Sequence, residues 1–395
     1  MSKKLLVLAA SLYQLETILD AKRLGYQVIT VDNRADNPGH GFADKSYNVS
    51  TVDMNAVLEI GRKEAIDGVL APCTDVAVPT AAYVAQELNL RGVLLETANI
   101  VCNKISFREF LKEHDFAVPE NIPLNSSFTA DDRLFQKGRW IIKPDRSSGS
   151  KGIFIVETAA ELARRLPETL SFSPSGSGIL ERYVDGFQGT CEGVLRNGEL
   201  ALTCILDRQT ADSPYVTTCG HCVPTKLELR LQEALFRSLN RLWKLLQVSE
   251  GPFDCDFVAT RDEVYLLEIS PRIGGNAIST LLLKAFNFDL VRYSILLALG
   301  EDPPWPALGT VRPAAVVILG VPESGRLVYD QEALLSLRRE QWVDSLSMDY
   351  ECGVPVSAFI NSRNRIGQAI IFGESRDNLE NRVLELKRRL NIRTV

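Results

Sequence analysis

The chain has 395 residues, and at ~150 residues per domain that length holds two or three domains with sizeable cores. Apolar residues make up 45% and charged residues 24%, which excludes a disordered chain, a collagen and a simple coiled coil. Lys and Arg number 44 against 50 Asp and Glu, a formal net charge of −6 with no general attraction for nucleic acid or anionic lipid, and no apolar run reaches the ~18–20 residues that span a bilayer.

Lys3 and Lys4 precede the apolar run 5–10 in the manner of a signal peptide. The run is short, however, and Tyr13, Gln14 and Glu16 follow it without a small-residue cleavage site, so a buried strand over 4–10 accounts for it better. The eight cysteines sit mostly in apolar, strand-like surroundings and do not form a disulfide scaffold; the expectation is a reduced, cytoplasmic enzyme. A helix is predicted over 12–24, with Leu12, Leu15, Leu19 and Leu24 near one face and Gly25 as its stop. Strands at 28–32, 68–71 and 92–95 and helices at 55–64 and about 76–88 continue the alternation. That pattern implies a parallel sheet covered on both faces, a Rossmann-like domain over 1–103. Asp32 ends its second strand as in dinucleotide sites. Residues 9–14 contain no glycine, though, and the glycine turn is what lets backbone approach a pyrophosphate, so an NAD site is not expected.

Pro119, Pro123 and residues 125–129 mark a loop before a compact α/β segment that runs to about 183, and 171–177 reads as a mobile loop. A helix near 229–247 carries Leu235, Leu239, Leu242 and Leu246 on one stripe. A closing helix starts at Ser375 as N-cap and puts Leu379, Val383, Leu386 and Leu390 on one face.

Two segments carry chemistry. In 140–156, two β-rich runs flank the Ser/Gly loop 147–152, with Lys143 at the end of the first; small residues let backbone N–H groups turn toward an anion, and the lysine adds a fixed charge. No P-loop pattern occurs. The second is the hairpin 254–270. Period-two alternation places Phe257, Ala259, Tyr265, Leu267 and Ile269 on one face and Asp254, Asp256, Glu268 and Ser270 on the other. A turn centred near Asp262 sets Asp256 opposite Glu268, where like charges are unfavourable. A divalent cation removes that conflict, and two carboxylates suit Mg²⁺, which keeps several waters and takes further oxygens from nucleotide phosphates. Arg272 and the Gly274-Gly275 turn lie beside the carboxylates.

Together these pieces resemble the ATP-grasp superfamily over nearly the whole chain. The matching stretches are Asn103-Lys104 to Leu111 with Val118-Pro119, Ile142-Lys143-Pro144 with Ser148-Gly149-Ser150-Lys151-Gly152, Ile179-Leu180-Glu181-Arg182-Tyr183-Val184-Asp185-Gly186, and Asp256, Glu268 and Arg272 in the hairpin. The finer likeness is to the branch of carbamoyl-phosphate-synthase-like proteins and L-amino-acid ligases. The resemblance implies an α/β chain with the ATP-grasp fold. An N-terminal Rossmann-like domain (1–103) would precede two ATP-grasp subdomains, a flexible lid at 104–183 and the metal hairpin at 184–305, and a small C-terminal α+β domain (306–395) would follow. It further implies ATP with Mg²⁺ or Mn²⁺. Lys104, Lys143 and the loop residues Ser148, Gly149, Ser150, Lys151 and Gly152 would meet phosphates. Glu181 would accept from the adenine amino group, with backbone at Tyr183 and Val184 reading the ring edge. Leu267 would lie in the nucleotide pocket, Asp256 and Glu268 would hold the metal, and Arg272 would stabilise the transferring phosphoryl group. Two positions depart from the family pattern: Gln188 stands where an acid commonly holds the ribose, and Ser270 where an Asn is usual, as in the formate-dependent glycinamide ribonucleotide transformylase branch.

Cys219-Gly220-His221-Cys222 matches a C-x-x-C, but Val223-Pro224 follows where a redox motif needs a helix, and zinc would need a second ligand pair. In the family branch a Gly-His-x-x-Pro loop lies near the acceptor, which makes His221 a candidate substrate contact or base. The expected function is an ATP-dependent carboxylate–amine ligase working through an acyl phosphate, of the amino-acid or dipeptide type, with Arg272, Asn276 and the Gly274-Gly275 amides lining the acyl-phosphate site. The alternatives are a bicarbonate- or formate-activating enzyme acting on a nucleotide precursor, and a non-catalytic ATP-binding regulator. The partners implied are a small carboxylic acid and an amine, with no nucleic acid and no membrane; a homodimer is a fold-level analogy. Thr74 and Asp75 are further substrate-binding suspects.

Overall fold

A computed structural model describes residues 2–211, 215–307 and 309–395. The N-terminal alternation folds as expected into a parallel sheet whose order is Lys45–Tyr47, Gln27–Val31, Lys4–Leu8, Gly68–Leu70, with Leu6 paired to Ile29 on one side and Val69 on the other. The helices Leu15–Arg23, Met54–Glu64 and Val78–Glu87 cover it. Three details differ from the sequence reading. The first helix begins at Leu15, leaving Leu12 half exposed and residues 11–14 in a turn. The short polar strand Lys45–Tyr47 has no period that would announce it. No strand forms at 92–95: Leu94 is half exposed, and Leu95 opens the helix Leu95–Val101, because Thr97, Ala98 and Val101 repeat at helical spacing and bury together.

A second, antiparallel sheet has the order Asn121–Leu124, Gly178–Arg182, Trp140–Pro144, Phe154–Val156. The helix Ala159–Ser171 packs Leu162, Leu166 and Leu170 onto its Trp140, Ile142 and Phe154. The third sheet has eight strands, in the order Val264–Ser270, Gly251–Ala259, Phe187–Arg196, Glu199–Thr210, Thr218–Val223, Ala314–Leu319, Gly367–Phe372, Val343–Met348. The strands beyond residue 306 therefore continue the sheet that holds the acidic hairpin, through Val223 paired with Ala314. The helix Leu229–Leu245 buries Leu235, Leu239 and Leu242, and Leu246 just beyond it is buried as well. Ser375 caps the helix Arg376–Leu390, accepting from the Asn378 N–H at 3.1 Å, and Leu379, Val383, Leu386 and Leu390 are all buried as the spacing predicts. No helix among the described residues is long and apolar enough to cross a membrane.

Candidate active site

The hairpin strands Gly251–Ala259 and Val264–Ser270 turn one step tighter than the sequence reading supposes. Ala259 pairs with Val264, Val258 with Tyr265 and Phe257 with Leu266; the register then slips, and Asp256 pairs with Glu268. Leu267 is thus the extra residue of a β-bulge. The bulge corrects the predicted alternation: Val264 and Leu266 go to the core, and Leu267 and Glu268, neighbours in sequence, both line one cavity. The Asp256–Glu268 juxtaposition itself stands as expected.

That cavity, ≈ 760 Å³, lies where the three sheets meet and takes in almost every residue singled out from the sequence. Lys104, Lys143, Ser148, Gly149, Ser150, Lys151, Glu181, Tyr183, Val184, Gln188, His221, Asp256, Leu267, Glu268, Arg272 and Asn276 all line it. Gly152 does not; it turns behind the loop at φ +70°, where a Cβ would meet Phe172 and Pro144, and its carbonyl accepts from Thr169 Oγ1 at 2.8 Å.

Local chemistry places each group. Asn103 caps the helix Lys104–Glu113 by accepting from the N–H groups of Ile105 and Ser106, which sets Lys104 on its first turn. Lys104 Nζ lies 3.2 Å from Glu268 Oε1 and 3.5 Å from the Ser147 carbonyl. Asp145, next to the lid loop and not singled out from the sequence, ties three segments together: it accepts from Asn103 Nδ2 at 3.1 Å, from Ser175 Oγ at 2.8 Å and from Ser173 Oγ. Those bonds hold the 171–177 segment expected to be mobile.

Glu181 is almost wholly buried, and both of its oxygens are engaged, Oε1 by Arg108 Nε at 2.6 Å and Oε2 by Lys143 Nζ. Each oxygen keeps a further lone pair, so the carboxylate that lines the cavity is braced by two cations and can still accept. Burial alone would raise its pKa, yet the two cations hold it down at about 2.

Asp256 accepts from Thr190 Oγ1 at 2.6 Å and pairs with Arg208 at 3.1 Å. Because Thr190 spends its proton there, its oxygen receives the Nε2–H of His221 at 3.2 Å, and this network assigns the imidazole tautomer. Burial, opposed by Asp256 and reinforced by Arg208, lowers the His221 pKa to about 4, so the ring is neutral at pH 7. Nδ1 is then a buried acceptor with no hydrogen-bond partner among the described residues. His221 and Cys222 point to opposite faces of the strand Thr218–Val223, Cys222 into the core of the C-terminal strands and helices.

Arg272 is clamped between two carboxylates, Asp75 from the N-terminal sheet's side (Nε 2.9 Å) and Asp254, and Nη1 also donates to the Ile273 carbonyl at 3.1 Å. One of its five N–H groups remains without a partner among the described residues. Behind it Asp254 and Glu192 sit opposite each other on neighbouring strands. Burial, only partly offset by Arg272, pushes Asp254 up to about 6, and burial with the Asp254 carboxyl beside it pushes Glu192 far above the usual range. Gly274 is obligatory there, since a Cβ would lie 1.8 Å from Glu192 Oε1. Lys151 and Arg363 also line the cavity, without an ion pair among the described residues; burial and the Arg363 charge depress the Lys151 pKa. Arg108, Asp145, Thr190, Arg208 and Arg363 are the site residues sequence reasoning missed, and Asp254, placed on the acidic face, was given no role.

The metal carboxylates pass a simple test of fit. Asp256 and Glu268 meet across neighbouring strands, are each about three-tenths exposed into the cavity, and are balanced by two cations that an ion could replace. Among the described residues no cluster of three or more His, Cys, Asp or Glu side chains could hold a metal.

Two subdomains clasping one cavity, with lysines, a Ser/Gly loop and paired carboxylates around it, define an ATP-grasp fold. A family model described as the ATP-grasp domain matches residues 101–276, which identifies an ATP-grasp domain there. It is 25% identical over 392 residues to the formate-dependent phosphoribosylglycinamide formyltransferase of Aliivibrio fischeri, covering 95% of this chain and 93% of that protein. Among solved structures, the L-amino acid ligase of Bacillus licheniformis superposes with a TM-score of 0.81 at 18% identity, covering 100% of this chain and 98% of that one. Phosphoribosylglycinamide synthetase from Anaerococcus prevotii gives 0.77 at 18% identity, covering both chains fully.

Proposed function

We propose that the chain is an ATP-dependent carbon–nitrogen ligase that activates a small carboxylic acid as its acyl phosphate and passes the acyl group to an amine carried by an anionic acceptor. The observation that carries this reading is that one cavity is lined by Lys143, Asp256, Glu268 and Arg272 and also by Lys151 and Arg363. Nucleotide, acid and acceptor would then share one site, which holds the reacting groups together.

In the first step a carboxylate oxygen attacks the γ-phosphorus; the new O–P bond forms as the bond to the β–γ bridging oxygen breaks, and ADP departs. Lys104, Lys143 and the loop at 147–152 position the triphosphate, and Tyr183 and Val184 offer backbone to the adenine edge. Asp256 and Glu268 would hold Mg²⁺, which when bound neutralises charge on the β- and γ-phosphates. Arg272, with one free N–H, stabilises the acyl phosphate. In the second step the amine attacks the acyl carbon, phosphate leaves, and the amine proton passes to the departing phosphate.

The amino-acid or dipeptide ligase reading gives way here to its alternative. The similar enzyme from Aliivibrio fischeri is named as formate-dependent and acts on a phosphoribosyl acceptor. Lys151 and Arg363, without an ion pair among the described residues, would supply the charge that such an acceptor's phosphate requires. Incubation with ATP, Mg²⁺ and ¹⁸O-labelled formate, bicarbonate or amino acids tests this: label from formate or bicarbonate should enter the released phosphate. Label transfer from amino acids alone would restore the first reading. ATP binding without ADP release over the whole panel would leave a regulator.

A further inference from the structure

Arg108 is fully buried and does not line the cavity, yet its planar fork touches two systems that do. It stands four residues after Lys104 on the helix Lys104–Glu113, so the two cations share one helix face. Lys104 reaches Glu268, and Arg108 passes behind it. Nε donates to Glu181 Oε1 at 2.6 Å, Nη2 to the Leu267 carbonyl at 2.6 Å and Nη1 to the Leu266 carbonyl at 3.4 Å.

The second contact falls on the bulge, and the bulge decides where Glu268 points. Continuing the pairing of Phe257 with Leu266 without the slip would set Leu267 opposite Asp256 and Glu268 opposite Cys255. Cys255 faces the core built by Cys191, Leu195 and Phe253, so Glu268 would be turned away from the cavity. A bulge disrupts the local ladder of backbone hydrogen bonds, and a buried carbonyl released by it needs another donor. Arg108 supplies donors at this place. Its first contact matters for charge: Arg108, Lys143 and Glu181 together carry a net +1, so Lys143 is held by a carboxylate without being cancelled by it.

We propose that Arg108 is a positioning residue: from behind the cavity wall it holds the Leu267 bulge, which presents Glu268 beside Asp256, and it holds Glu181, which orients Lys143. The metal-binding half of this inference rests on the proposed function only in taking Asp256 and Glu268 as the ligands.

The test compares full-length wild type, Arg108→Met, Arg108→Lys and Glu181→Gln. Mn²⁺ binding at ADP saturating for each variant is read by electron paramagnetic resonance, ADP binding without metal by calorimetry, and folding by thermal melts. Arg108→Met should weaken Mn²⁺ binding at least tenfold in folded protein, with Arg108→Lys recovering part of the loss. Glu181→Gln leaves the bulge contact in place; it should weaken ADP binding while Mn²⁺ affinity stays within threefold. An Arg108→Met protein that binds Mn²⁺ within twofold of wild type overturns the proposal, as does a Glu181→Gln protein that reproduces the whole metal loss. Should Arg108→Met fail to fold, deletion of Leu267 carries the same question with Arg108 intact. It should abolish Mn²⁺ binding in protein that still binds ADP, and unchanged Mn²⁺ binding overturns the proposal. A wild type that binds ADP but never Mn²⁺ refutes the metal assignment in the functional reading instead.

Discussion

At its tip the glycine loop docks through a narrow contact with Ser362, and Gly149→Ala should break it. Gly149 has φ +71°, and its carbonyl accepts the Ser362 N–H at 3.1 Å. The Ser362 carbonyl in turn accepts from Tyr13 Oη at 3.1 Å, so the loop docks on the turn Ser362–Asn364 and that turn on the N-terminal domain. A Cβ on residue 149 would stand 2.1 Å from Ser362 Oγ and 3.2 Å from its Cβ. The hydroxyl can rotate away, but the carbon cannot. Alanine in the left-handed region costs about 1 kcal/mol relative to glycine, and loss of the interloop hydrogen bond costs about 1 kcal/mol more. Together about 2 kcal/mol shifts the open–closed balance roughly 30-fold toward open. Steady-state ADP release should show KM for ATP rising by that order while kcat falls less. Ser362→Gly in the Gly149→Ala background removes the obstruction but leaves the strained φ, so about half the loss should return on a logarithmic scale. A KM within twofold of wild type in Gly149→Ala, or no recovery in the double variant, would refute the latch.

Glu268→Gln preserves shape but removes one of the two metal charges and the partner of Lys104; kcat should fall about 10²–10³-fold, while ADP binding without metal, followed by calorimetry, should persist. Unchanged Mn²⁺ affinity in that variant would contradict the ligand assignment. The His221 pKa of about 4 in the fold, against 6.5 ordinarily, means that the unfolded chain binds the extra proton. Its contribution to stability is full above pH 6.5 and is lost as pH falls toward 4, at about 1.4 kcal/mol per pH unit. Denaturant unfolding at pH 7.5 and 5.0 should show a smaller drop for His221→Gln than for wild type, and equal drops would exclude the effect.

What was legible in the sequence followed the strength of local signals. Continuous apolar strands such as KLLVL, the Ser375 cap with its four buried positions, and the turn that sets Asp256 opposite Glu268 each carry a period or a cap, and each is found in the fold. The bulge at Leu267 carries neither; nothing in VYLLEIS shows which leucine is extra, so the predicted face of Tyr265 and Leu267 was offset from the observed one. Arg108 reads as one more charge on an amphipathic helix, because its carboxylate partner lies 73 residues away. Arg208 and Thr190 lie on strands of their own, and their meeting with Asp256 depends on the order of three neighbouring strands. The 92–95 error had a local cause: four residues of apolar tendency lost to the helical spacing of the seven that followed.

The site's charges also imply an order to its chemistry. Four carboxylates each hold a cation that a polyphosphate would want: Glu268 holds Lys104, Asp256 holds Arg208, Glu181 holds Lys143, and Asp254 shares Arg272 with Asp75. Phosphates entering alone would have to compete with these carboxylates at close range, and like charges at short range in a partly buried site repel strongly. If Asp256 and Glu268 held a divalent ion, as proposed, Arg208 and Lys104 would lose their carboxylate partners and become available to the phosphates. Arg108 shares Glu181 with Lys143, and Asp75 and Asp254 hold Arg272 in place, where on the proposed reaction it would meet the acyl phosphate. Metal and nucleotide should therefore bind with positive coupling. ADP affinity measured with and without Mg²⁺ should differ by at least tenfold, and by thermodynamic reciprocity ADP should tighten Mn²⁺ by the same factor. Independent affinities would mean that the two ion pairs to Lys104 and Arg208 persist in the loaded site, and that the phosphates are held by the loop at 147–152 and Lys143 alone.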